Sequence, residues 1–226
     1  MRPALLIALA ALAFTTVGKC FSQQTPQSDQ REAEAVVIKL YKQIVFRKPL
    51  GLPRRRELEA IRRLLSQELI ERMRVATECE KDYFRQYPIS DPNDPNALIL
   101  KAPFAWGEAG LFSGGNEQAD PSWFALNRAV RQKDGSYEVH VNLKWWAELD
   151  KFPRPRGPQY DWTWEVVVFV IREGDHDAVD DVFYPKVYPD NAGPRYPTVE
   201  DIRLSQLLNV GCKDGRWVGY PSQKSP

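Results

Sequence analysis

Between residues 123 and 184 the chain alternates apolar and polar side chains around two turn signals, KDGS at 133–136 and EGDHD at 173–177. A period of two puts successive side chains on opposite faces of a sheet, and Asp-Gly between two such runs is a strong hairpin signal. The pattern therefore predicts two long antiparallel hairpins, 123–132 with 137–149 and 161–172 with 178–184. Adjacent Trp145 and Trp146 must point to opposite faces, and WEVVVFVI at 164–171 is apolar on both. One face can bury against helices, while the other needs a loop, a partner or a second copy of itself.

Ahead of the sheet the period changes. Val36, Val37, Leu40, Tyr41, Ile44 and Val45 recur every three to four residues over 28–46, which predicts an amphipathic helix capped by Ser28 or Asp29. KPLGLP at 48–53 ends it. Leu58, Ile61, Leu65, Leu69, Met73 and Ala76 form a second helical stripe over 54–86, and the Ser-Gln-Glu-Leu run from Ser66 can start a fresh helix. Residues 88–122, with five prolines and four glycines, read as a long lid-like loop anchored by Phe104, Trp106 and Phe112. Proline-rich pieces at 151–158 and 184–197 resist strand structure. A short helix over 199–208 and a turn plus strand, GCKDGRWVGY, close the chain.

The first residues, MRPALLIALAALAFTTVGKCFSQQ, combine Arg2, an apolar run from Ala4 to Phe14 and small residues before a polar stretch. That is the pattern of a cleaved secretory signal over 1–22, too short for a permanent membrane span. It places the protein in the periplasm or outside the cell. Lys19, where a small residue should precede a lipidated cysteine, argues against a lipid anchor at Cys20. Residues 23–28 read as a short linker, 29–220 as a single α+β domain and 221–226 as a tail. Loss of Arg2 and Lys19 from the 31 basic residues leaves 29 against 30 acidic ones, so no global field recruits nucleic acid.

Export also frames the cysteines. Without Cys20 two remain, Cys79 and Cys212, and in an oxidising compartment a disulfide is the economical reading; two unpaired buried thiols are the rival. Closing the intervening loop would be worth roughly 4–5 kcal/mol in the entropic treatment. No Cys/His ligand spacing supports zinc, and no sequence motif calls for a cofactor.

Helices first, then two long hairpins, then a terminal strand RWVGY after an Asp-Gly turn: this order resembles the nuclear transport factor 2-like fold, the cone-shaped α+β architecture of ketosteroid isomerase. The chain is also similar to exported bacterial domains of that shape and of unknown function, whose local features correspond here to FSGGNE, VDDVFY and RLSQLLNVGC. The resemblance covers about residues 29–220. It implies N-terminal helices packed on a curved antiparallel sheet around a pocket, in a fold that hosts isomerases, dehydratases, ligand carriers and interaction domains alike.

For such a cone Trp106, Trp145, Trp146, Trp164 and Tyr184 are the expected pocket wall, as a group. The first functional reading is a non-catalytic exported domain that binds a small apolar or amphipathic ligand, or a protein partner. A second is an isomerase or dehydratase with Asp181 as general base and His140 or Tyr184 assisting. A third is a structural homodimer, joined through the outer sheet face, or a cell-envelope subunit.

The competing structural readings are as definite. GDHDAVDD is no calcium loop, because counting from Asp175 the sixth residue is Asp180 and the twelfth Lys186. Asp175, His176 and Asp177 read as a solvated turn, and Asp181 as an acceptor for backbone amides near the last turn of the chain. His140, on the strand face with Asn142, Lys144 and Trp146, reads as part of a solvated row opposite the core face of Val139, Val141, Leu143 and Trp145. FSGGNE lacks the spacing of a phosphate-binding loop, and a PxxP match at Pro155 and Pro158 is a weak motif.

Overall fold

The computed structural model describes residues 26–87, 104, 106–107, 110–114, 120–146, 161–185 and 201–220. The expected signal segment with Cys20, most of the 88–122 stretch, the proline-rich pieces and residues 221–226 lie outside the described residues. Helix α1 spans Pro26–Arg47, α2 Arg55–Ile61 and α3 Gln67–Gln86. The strands follow: β1 Trp123–Arg131, β2 Tyr137–Trp146, β3 Asp161–Glu173 and β4 His176–Tyr184. Ile202–Arg203 is β5, Leu204–Leu207 is α4, and β6 (Cys212–Lys213) with β7 (Arg216–Trp217) ends the chain. The class is α+β, with one antiparallel sheet in the order β1-β2-β3-β4-β5.

The alternation decides which face is buried. Val139, Val141 and Leu143 of β2 lie opposite Val168, Val166 and Trp164 of β3. They join Val37, Leu40, Tyr41 and Ile44 of α1 in one buried cluster. Each such aliphatic side chain contributes about 1.5–3 kcal/mol by leaving water. Helix α1 lies across β1 to β4, so its stripe and the inner sheet face form the core.

The break in the second helical stripe comes where Ser66 stands. A 3-10 turn over Arg62–Leu64 leads to Ser66, whose Oγ accepts the Leu69 amide at 3.0 Å and so caps α3. The Ser66 amide donates to Val179 O at 2.8 Å, tying the helix start to β4.

Four expectations need correction. Helix α1 starts at Pro26, ahead of Ser28, because proline is tolerated in a first turn whose amides are unpaired anyway. The second hairpin turns on Gly174 (φ 65°) and Asp175 alone, so His176 and Asp177 already belong to β4. Ile202 and Arg203, expected in a helix, pair with Tyr184 and Phe183 at the sheet edge and leave one turn of α4. The turn plus strand expected of GCKDGRWVGY is two short strands: β6 and β7 form their own two-stranded ribbon around Asp214-Gly215, both at positive φ, which is the requirement of a type I′ turn.

That ribbon is held against α3. Cys79 and Cys212 form a disulfide, with Cα atoms 5.9 Å apart. The Trp217 amide donates to Asp82 Oδ2 at 3.0 Å, and the Trp217 ring sits edge-on to Tyr83 and Phe104 at 5.4 and 5.1 Å. Gly211 (φ 74°) must be glycine here: a Cβ would lie 2.3 Å from the Trp217 ring. Among the described residues no helix is long and apolar enough to cross a membrane.

Candidate functional sites

The inner face of the sheet is where a cone would hold a ligand, and residues 110–114 occupy it. Tyr41 of α1 donates its hydroxyl to Phe112 O at 2.7 Å, and the Trp164 indole of β3 donates to Ser113 O at 2.7 Å. The Tyr184 hydroxyl of β4 donates to Leu111 O. Three aromatic donors from three elements thus end on three consecutive carbonyls of one loop. Leu111, Phe112 and Ser113 are at most 1% exposed. The loop folds on itself through Gly110 O, which accepts from the Ser113 and Gly114 amides, and Gly110 bridges to Gly51.

Burial explains the electrostatics of this region. Desolvation drives the Tyr41 and Tyr184 hydroxyls far above the usual phenol range, so both stay neutral donors. At the far end of the loop, partial burial lifts the Asp120 carboxyl to about 6, against the opposing pull of Lys48.

The expected wall residues separate accordingly. Trp164 and Tyr184 are core side chains pinned to the loop. Trp106 is fully buried, stacks on Phe104 at 4.7 Å and leaves its indole N–H without a partner among the described residues. Trp145 is partly buried against the core. Trp146 pairs with Asp161 in the β2–β3 register, and its side chain lies outside the described residues. Cavities of about 370, 490 and 630 Å³ among the described residues are lined by other side chains.

The three residues grouped for acid/base chemistry do not meet. Tyr184 points inward, while Asp181 and His140 lie on the outer face with β3 between their strands. Asp181 is 6% exposed: Oδ1 accepts the Val182 and Ser205 amides at 2.9 and 3.0 Å, and Oδ2 accepts the Ser205 hydroxyl at 2.6 Å. A β-bulge leaves neighbouring Asp180 unpaired in the ladder, and its Oδ1 accepts the Ser66 hydroxyl at 2.7 Å.

His140 is not part of a solvated row. It is 8% exposed, and its Nδ1 lies 2.9 Å from Glu165 Oε1, diagonally across β2 and β3. A bulge between Leu126 and Arg128 lets Asn127 Nδ2 donate to Glu165 Oε2 at 3.3 Å. The alternation places Glu165 on this face, but no spacing in the sequence announces the pair.

The REGDHD turn hides a further departure. Arg172 and Asp177 are cross-strand partners, and Arg172 Nη1 donates to Asp177 Oδ1 at 3.1 Å and Glu32 Oε2 at 2.7 Å. Arg172 Nη2 donates to Asp175 O. Asp175 and His176 are exposed, but the Asp177 side chain is only 11% exposed and its Oδ2 has no hydrogen-bond partner among the described residues. The signal was present: in a two-residue hairpin, positions 172 and 177 are equidistant from the turn and carry opposite charges. Asp177 lines the 370 Å³ pocket at the hairpin tips, with Arg131, Tyr137 and Asp29. Among the described residues no group of three His, Cys, Asp or Glu side chains is placed to hold a metal. Compared with models of known protein families, with curated proteins and with solved structures, the chain finds no match.

Proposed function

We propose that the chain is an exported, non-catalytic binding module on a nuclear transport factor 2-like cone, and that its principal partner is a protein. The observation that carries this reading is the filled interior: Tyr41, Trp164 and Tyr184 spend their polar hydrogens on carbonyls 111–113, where an apolar ligand would otherwise lie. The order of helices and hairpins supports the cone, and the Cys79–Cys212 disulfide suits an oxidising compartment. Asp181, with both oxygens engaged and little exposure, serves as a brace between β4 and α4. Phe46, Val218, Tyr87 and Tyr220 are 80, 62, 52 and 50% exposed, which supplies apolar surface for contact with a protein.

Native mass spectrometry of the mature protein after export into a bacterial periplasm tests the reading. The expected spectrum carries no apolar adduct, and organic extraction of the purified protein yields no stoichiometric compound. An apolar compound of defined mass, present at one per chain and released on denaturation, would overturn it.

A further inference from the structure

The polar pocket at the hairpin tips, separate from the filled interior, combines groups of both charges that the fold leaves uncommitted. It lies between the turn of the first hairpin, the end of the second and the start of α1, and encloses about 370 Å³. That is within the range of small-molecule sites. Arg131, at the end of β1, is exposed at the rim and makes no hydrogen bond or ion pair among the described residues. Asp29 is half-buried and has one marginal contact, with Ser28 Oγ at 3.5 Å.

Asp177 is the informative member. Its Oδ1 is taken by Arg172, but Oδ2 is removed from solvent and has no hydrogen-bond partner among the described residues. A buried carboxylate oxygen without a donor costs about 1–3 kcal/mol or more, a deficit that a bound ammonium would remove. Arg172 does not supply that donor: its Nη1 is shared between Glu32 and Asp177 Oδ1, its Nη2 donates to Asp175 O, and none of its N–H groups bonds Oδ2. Ile171 gives the lining an apolar element, and Tyr137, 5% exposed, gives it a ring.

We propose that this pocket binds a small zwitterion, a free amino acid or dipeptide, its ammonium held by Asp177 and Asp29 and its carboxylate by Arg131. The pairing explains why a free guanidinium and an unsatisfied carboxylate line the same space. A simple cation would leave Arg131 opposing it, and a simple anion would leave Asp177 unmet. An apolar side chain on the ligand lies against Ile171 and the Tyr137 ring.

The test is a ¹H–¹⁵N NMR titration of the full mature chain with leucyl-leucine, beside N-acetyl-leucyl-leucine and leucyl-leucine amide, which each lack one charge. The expected result is saturable movement of the Ser136, Tyr137, Ile171 and Asp177 amide signals by the zwitterion. Each blocked peptide should bind at least about tenfold more weakly. Asp177→Asn and Arg131→Gln should each give a similar loss; Arg131 is exposed, so its variant keeps the fold even if the other does not. No saturable movement, equal binding of the blocked peptides, or binding that survives Arg131→Gln would overturn the proposal. The interior is tested separately, because an apolar extract and a water-soluble dipeptide report on different sites.

Discussion

In the interior, three aromatic donors each end on a backbone carbonyl of residues 111–113, whereas at the hairpin tips Asp177 keeps a buried oxygen with no donor. Both regions bury polar atoms, and both are assembled from elements distant in sequence. The interior loop brings its own acceptors, so the apolar aromatic bodies can pack and their polar ends are still satisfied. The tips bring charges of both signs and leave some of them unmet. Packing is thus completed around carbonyls 111–113, and, the buried Trp106 indole N–H apart, the unmet polar groups are gathered at the hairpin tips.

The comparison makes unequal demands on stability. Phe112→Ala removes a buried ring from the interior loop and should destabilise the protein by about 3–5 kcal/mol, read as a lower urea midpoint. A loss below about 1 kcal/mol would mean that the loop covers the core without belonging to it. Tyr184→Phe keeps the ring but strands the Leu111 carbonyl, and should lose about 1–3 kcal/mol in the same measurement. A neutral result would show that water reaches this carbonyl, and the interior would no longer count as sealed. Asp177→Asn is the smallest: it retains an acceptor for a partly exposed Arg172, so thermal unfolding should shift by no more than about 1 kcal/mol. A larger loss would make Asp177 a structural member like the interior residues and erase the distinction.

Much of the fold was legible because it rests on local periodicity. The hairpin strands came from alternation, the start of α3 from the Ser66 cap and the Cys79–Cys212 pair from the cysteine count. The filled interior was not legible. The bonds that fix it join residues 41, 164 and 184 to carbonyls 51 to 73 positions away, and a backbone carbonyl has no residue type to read. His140 was placed on the outer strand face, but its burial and its Glu165 partner depend on register and on the bulge at Asn127. At the terminus, the Asp-Gly turn was evident, while the choice between joining the sheet and packing on α3 was settled by the disulfide and by Trp217. Of the candidate polar site, only the turn could be read; the pocket needed α1, β1 and β4 to meet.

The link between Cys79 and Cys212 decides what a protease can do to the chain. Every residue from 80 to 211 lies within one covalent ring, including the long connections before β1, between β2 and β3 and after β4. A single peptide-bond cleavage anywhere in that ring opens it without dividing the molecule. The two halves stay tethered, and the damage shows as separate fragments only after reduction.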